Sequence, residues 1–174
     1  RVAVIYKPGT VTPVGSYLTD LNTIFSRPPV AQTFRQISTG ETFSVVVNHF
    51  KSKGCSGATG LDLDQGDGQG CYNNRRVQQA AQLISFINTT VIPTSGDSDV
   101  LIIGDLNAYA KEDPITTLTN AGYTNLVGYF NGAEAYSYAF EGQIGYLDHA
   151  LASASLLTQV AGTADSHNND DEPI

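Results

Sequence analysis

The chain of 174 residues has no methionine and no tryptophan, and its first residue is arginine. The expectation is therefore a processed form, an internal fragment or a truncated piece of a longer protein. No apolar run is long enough to cross a bilayer, and no signal peptide is recognisable. Positive charge is scarce: 9 Lys plus Arg stand against 17 Asp plus Glu, a net charge of −8. That balance excludes a protein that holds nucleic acid by charge alone, but not an enzyme in which metal ions offset the repulsion. Charged residues make up 15 % of the chain, below the usual quarter. Gly and small polar residues are plentiful instead, which suits a loop-rich secreted protein. The length fits one domain, residues 1–174, with a real core.

Cysteine is also scarce. Cys55 and Cys71 bracket a Gly- and Asp-rich loop. No C-x-x-C and no His pair accompanies them, so a local disulfide in an oxidising compartment is favoured over zinc. Closing a loop of about 15 residues stabilises a fold by roughly 3 kcal/mol. Asp62, Asp64 and Asp67 lie inside this loop. They read either as hard ligands for Ca²⁺ or as a solvated acidic loop made rigid by the disulfide; the spacing is not that of an EF-hand.

The most informative stretch is Asp99–Tyr109, DVLIIGDLNAY. Val100–Ile103 is a short apolar run rich in β-branched residues and reads as a buried strand. Asp105 and Asn107 follow Gly104. With a period of two they share a face at the carboxyl end of that strand, where open α/β sheets bind ligands. A carboxylate and an amide there suit a water molecule or a phosphate; the plain alternative is a strand ending in a polar turn.

Alternation predicts further strands at Arg1–Tyr6, Val30–Gln36, Thr42–Phe50, Tyr136–Phe140 and Tyr146–Ala152, with Lys7–Pro13 a loop and Tyr17–Phe25 irregular. Apolar residues at intervals of three and four predict a helix over Asn73–Val91, capped by Asn73 or Asn74 and stopped at Pro93. Asp113-Pro114 opens a short helix through Leu118. Three polar groups then fall at strand ends: Asn48-His49, Asp105-x-Asn107 and Asp148-His149. A single strand-borne His is more often structural than catalytic; three such groups in one α/β pattern point to a site.

The order NHFKSKG, DQGDGQGCYN, GDLNAY and GYLDHALAS resembles the endonuclease/exonuclease/phosphatase superfamily, with its deoxyribonuclease I-like fold, and within it secreted bacterial extracellular nucleases. The resemblance covers nearly the whole chain. It implies an α/β (α+β) fold, a two-sheet β-sandwich flanked by helices, here truncated at both ends. It implies that His49 contacts the scissile phosphate and moves a proton, and that Asp105 aligns or deprotonates the attacking water. Asn107 would steady the phosphate and Asp105, and Asp148 would orient a second histidine. Asp105 and Asn107 would give part of a site for Mg²⁺ or Mn²⁺, while Asn48, Lys51, Lys53 and Arg27 would meet substrate. His149 stands where many relatives carry an aromatic residue and reads as structural.

The family's metal-binding Glu and its Ser-Asp-His-Asp-Pro motif are not found in the sequence, and the context of His167 does not match that motif. The implied activity is metal-dependent phosphodiester hydrolysis of DNA or RNA by a secreted bacterial protein, weak or absent in this chain alone. The alternatives are a phosphatase or lipid phosphodiesterase of the same fold, or a non-catalytic binding fragment. No membrane partner is expected, and truncation would leave strand edges open to self-association.

Overall fold

A computed structural model describes residues 2–140 and 143–163. Its centre is one six-stranded sheet. The strands are β1 (Val11–Thr19), β2 (Val30–Gln36), β3 (Thr42–His49), β4 (Val100–Asp105), β5 (Thr124–Asn125) and β8 (Asp148–Ala152), in the order β1-β2-β3-β4-β8-β5. A separate ribbon pairs β6 (Tyr138–Phe140) with β7 (Gln143–Gly145). The helices are α1 (Asn73–Phe86), α2 (Ile92–Ser95), α3 (Asp113–Asn120), α4 (Leu126–Asn131) and α5 (Ala154–Leu157). The mixed α/β class is as expected. The two sheets of the described residues are unequal, one large and one a hairpin.

Strands β1, β2 and β3 run antiparallel, β3 and β4 parallel, and β4 and β8 antiparallel. The parallel pair needs a long crossover, which α1 supplies. The apolar spacing foreseen for this helix faces the sheet: Ala80, Leu83, Phe86 and Ile87 pack with Ala31, Val46, Ile102 and Leu151, and with Ile115 and Leu118 of α3. On the opposite face Leu101, Phe43 and Ala150 meet Leu126, Phe130 and Leu156 in a smaller cluster.

Three local expectations are corrected. Residues 2–6 form no strand, and Ile5 is 98 % exposed. The strand at this end is β1, in the stretch read as loop. Pro13 and Gly15 hid it, yet both are tolerated on an edge strand, and the pairing with β2 shifts register between Val14 and Leu18. Second, Pro93 does not end the helical path. A π-helical turn over Ile87–Val91 separates α1 from α2, and Pro93 lies in the first turn of α2, where its missing N–H costs nothing. Gly96 then closes α2 in the left-handed region. Third, no side chain of Asn73 or Asn74 caps α1. The cap comes from the disulfide loop, where Asp62 Oδ1 accepts from the Arg75 backbone N–H at 3.1 Å.

Candidate active site

Strand register alone builds a row of polar side chains. His49 pairs with Asp105 across β3 and β4, and Asp105 pairs with Asp148 across β4 and β8. Alternation puts these three on the sheet face opposite α1, at the carboxyl end of the parallel pair. His49 Nε2 lies 3.6 Å from Asp105 Oδ2, each side chain about a third exposed (34 % and 34 %). That is ion-pair range for a protonated imidazole but too long for a hydrogen bond. Asp148 is exposed, and its partial desolvation raises its carboxyl above the usual range. The Asp105 charge raises it further, and His49 opposes both.

Past Asp105 the chain turns sharply. Leu106 is fully buried, and its N–H donates to the Leu147 carbonyl at 2.9 Å. Asn107 takes φ of 48°, a left-handed conformation that Asn tolerates better than most residues. Its backbone N–H donates to Asp105 Oδ1 at 2.8 Å, and its Nδ2 donates to the Phe50 carbonyl at 3.1 Å. Phe50 in turn donates its N–H to the Asp105 carbonyl at 3.0 Å. Asn107 therefore fixes the Asp105 carboxylate and ties the ends of β3 and β4 together.

The opposite face holds His149. It is 3 % exposed. Its Nε2–H donates to the Ala108 carbonyl at 2.7 Å, which leaves Nδ1 to accept from Asn125 Nδ2 at 3.2 Å. Burial pushes its pKa down to about 4. Neutral and fully engaged, it props the turn that carries Asn107, in keeping with a structural reading.

Several residues expected to meet substrate lie elsewhere. Asn48 is 2 % exposed on the α1 face and donates Nδ2 to the Val46 carbonyl, because neighbouring strand residues point to opposite sides. Lys53 is turned away from solvent: its ammonium sits 2.5 Å from both carboxylate oxygens of buried Glu112 and 2.8 Å from the Gln69 carbonyl. Lys51 is half-buried, its ammonium 4.1 Å from the centre of the Tyr72 ring. Arg27 is exposed in the loop before β2, whose first residue, Val30, pairs with Val47 near the row.

The disulfide loop is a braced structure. Cys55 and Cys71 are bonded, with Cα atoms 5.1 Å apart. Fully buried Arg76 donates to the carbonyls of Lys51, Gln69 and Cys71. The three loop aspartates do not converge on a Ca²⁺ site. Asp62 caps α1, Asp64 Oδ1 accepts from Gly66 N–H, and Asp67 Oδ1 accepts from Gln69 N–H. Glu112 and Gln79 were not foreseen. Gln79 is fully buried and accepts from the Lys51 N–H at 2.9 Å, just beyond the row. In the K-E-D-P run around Glu112, the sequence signal was the helix start at Asp113-Pro114, with nothing to mark Glu112 as a partner for Lys53. His167 lies outside the described residues.

Among the described residues no group of three or more His, Cys, Asp or Glu side chains could hold a metal ion. The chemistry of the row nevertheless fits a hard cation in part. Two carboxylates lie side by side, and the Asp105 charge adds to the partial desolvation that raises Asp148. Mg²⁺ is commonly held by one or two carboxylates together with water and substrate phosphate.

The profile of the Endonuclease/Exonuclease/phosphatase family matches residues 2–168. No curated protein sequence matches the chain. Among solved structures, the human Nocturnin catalytic domain with bound sulfate is similar at a TM-score of 0.56 and 18 % identity, over 84 % of this chain and 50 % of that one. A mannosyl-6-phosphatase of Bacteroides thetaiotaomicron reaches 0.58 at 13 % identity, over 86 % and 55 %. A humanized D. rerio TDP2 reaches 0.56 at 13 % identity, over 84 % and 54 %. At these identities the likeness shows the fold. The chain spans about half the length of the solved structures it matches.

Proposed function

The chain belongs to the endonuclease/exonuclease/phosphatase family, and from that premise we propose that its polar row serves metal-assisted hydrolysis of phosphodiester bonds in DNA or RNA. The observation that carries this reading is the alignment of His49, Asp105 and Asp148 on three adjacent strands at one sheet end. Phosphodiester hydrolysis needs an activated water, charge relief at the non-bridging oxygens and a proton for the leaving alkoxide. The Asp105 carboxylate, held by the Asn107 N–H, is placed to orient a water and accept its proton. His49 donates a hydrogen bond from Nε2 to a phosphate oxygen, and the leaving alkoxide takes its proton from water. Asp148 sets a second carboxylate beside Asp105 at the end of the row. Asp105, Asp148 and the Asn107 carbonyl oxygen are the groups that would hold Mg²⁺ or Mn²⁺. When bound, the ion would supply charge relief at phosphate oxygens.

Arg27 and Lys51 are the cations that support contact with flanking phosphates. The disulfide supports an oxidising, extracellular location. No helix of the described residues is long and apolar enough to cross a membrane. Self-association through sheet edges has weak support, because Pro13 and the register shift blunt β1 and because β5 is only 2 residues long. With two carboxylates and one imidazole in the row, these 174 residues are expected to turn over slowly by themselves.

Two experiments test the proposal. Inorganic phosphate with Mg²⁺ should shift the NMR signals of His49, Asp105 and Asp148, and Asp105→Asn should weaken that response. A plasmid-nicking assay, run beside bis(p-nitrophenyl) phosphate and a lipid phosphodiester, should find chelator-sensitive cleavage of nucleic acid first. Phosphate that leaves the row unperturbed would refute the placement. Faster cleavage of the lipid would transfer the site to the alternative substrate class.

A further inference from the structure

The segments that follow β4 and precede β8 help to line a cavity of about 410 Å³ whose walls include Tyr109, Lys111, Gly128, Ala135, Gly145 and Tyr146. Tyr109 lies two residues beyond Asn107, and Tyr146 two residues before Asp148. Two residues of extended chain span at most about 7 Å, so the backbone of the cavity's two tyrosines lies close to that of Asn107 and Asp148, at the sheet end where the row stands. Resting on the hydrolase reading, we propose that this cavity receives the nucleobase of the nucleotide whose phosphate meets His49 and Asp105.

Its shape and chemistry suit a flat ring. The volume falls within the roughly 300–1,000 Å³ of small-molecule sites. Two tyrosine rings, the exposed Ile144 side chain and several residues without bulk form the wall. The small residues are required for the rings to stand where they do. A Cβ on Gly145 would come within 2.8 Å and 2.9 Å of Tyr109 Cδ1 and Cε1, so the Tyr109 ring rests against bare backbone. A Cβ on Gly128 would lie 3.0 Å from the Tyr146 hydroxyl. The Tyr146 ring is held from behind: its hydroxyl accepts from Asn125 Nδ2 at 3.1 Å, and its centre is 4.8 Å from that of the His149 ring. A fixed aromatic floor loses little freedom when a ring stacks on it.

The occupant is unlike a sugar or an acyl chain. A sugar needs several convergent polar side chains, and among the described residues the only charged side chain in this lining is exposed Lys111. An acyl chain needs a long groove rather than a compact recess. A nucleobase offers a π-face to tyrosine whatever its identity, so the pocket would strengthen binding without reading sequence. Lys111 then faces the phosphate on the neighbouring nucleotide.

NMR titration of the chain with AMP, ribose 5-phosphate and adenosine tests this. AMP should bind about tenfold more tightly than ribose 5-phosphate and shift the Gly145 and Ala135 amides. Tyr109→Ala should remove most of that difference, an effect of roughly five- to a hundredfold for a lost stacking partner, while Tyr109→Phe should keep it. Gly145→Ala, which displaces the Tyr109 ring, should act like Tyr109→Ala. Equal binding of AMP and ribose 5-phosphate, unmoved by Tyr109→Ala, would overturn the base subsite and leave the phosphate reading standing. Shifts with adenosine but none anywhere with ribose 5-phosphate would uphold the subsite and overturn the phosphate reading.

Discussion

Gly104→Ala should be among the most damaging single-methyl changes available in this fold. Gly104 stands in β4 with φ of +126°, where L-residues are strained. A Cβ added there would lie 2.0 Å from the Asn48 carbonyl oxygen, 3.0 Å from its carbon and 3.1 Å from its nitrogen. These are backbone atoms of the adjacent strand, so no rotamer change relieves the contact. An unfavourable φ costs about 1–3 kcal/mol, and overpacking by one methyl typically another 1–3 kcal/mol. A loss of about 4 kcal/mol is expected, or roughly 8–16 °C in Tm for a chain of this size. Because Asn48–Gly104 is the register pair beside His49–Asp105, parting the strands also widens the row. Urea unfolding followed by circular dichroism gives the stability, and the His49 ring signals report the row. Gly9→Ala is the control, since nothing lies within 4 Å of its added Cβ. If Gly104→Ala stays within about 1 kcal/mol of the parent, the close approach of β3 and β4 is wrong, and with it the register that builds the site.

The parts of the fold that were legible in sequence are those whose pattern is local. The apolar alternation of β2 and the apolar run of β4 carry their own signal, and so do the strand-end polar residues that make the row. Strand β1 was hidden because Pro13 and Gly15 speak against a strand interior, and only its place at the sheet edge makes them acceptable. The faces of Asn48 and His49 were legible in principle: period two groups His49 with Val45 and Val47, and Asn48 with Val46. Lys53 was misread for a non-local reason. Its partner Glu112 is 59 residues away, and nothing in either neighbourhood announces the pairing. The α1 cap failed in the same way, since Asp62 reaches it from another segment.

Three further outcomes are expected. Reduction, or Cys55→Ser with Cys71→Ser, should lower stability by roughly 3 kcal/mol and raise amide exchange across the loop, whereas unchanged exchange would mean that Arg76 alone braces it. Lys53→Met should cost about 2 kcal/mol, less than a fully buried pair loses, because the Lys53 side chain is 25 % exposed while Glu112, at 9 %, is left unpaired; unaltered urea stability would refute the brace. Stability should also fall as the medium is acidified, through His149. Its folded pKa is about 4 against 6.5 for the unfolded chain, so the unfolded state takes the proton first. The contribution is complete above about pH 6.5 and is lost as pH falls towards 4. At about 1.4 kcal/mol per pH unit, the loss approaches roughly 3 kcal/mol. His149→Gln has no proton to gain there, and its amide can still donate to the Ala108 carbonyl. Its urea midpoint should therefore stay level from pH 6.5 until the carboxylates titrate, while the parent's declines throughout. Parallel declines in the two proteins would show that His149 is not the buried neutral prop of the Asn107 turn.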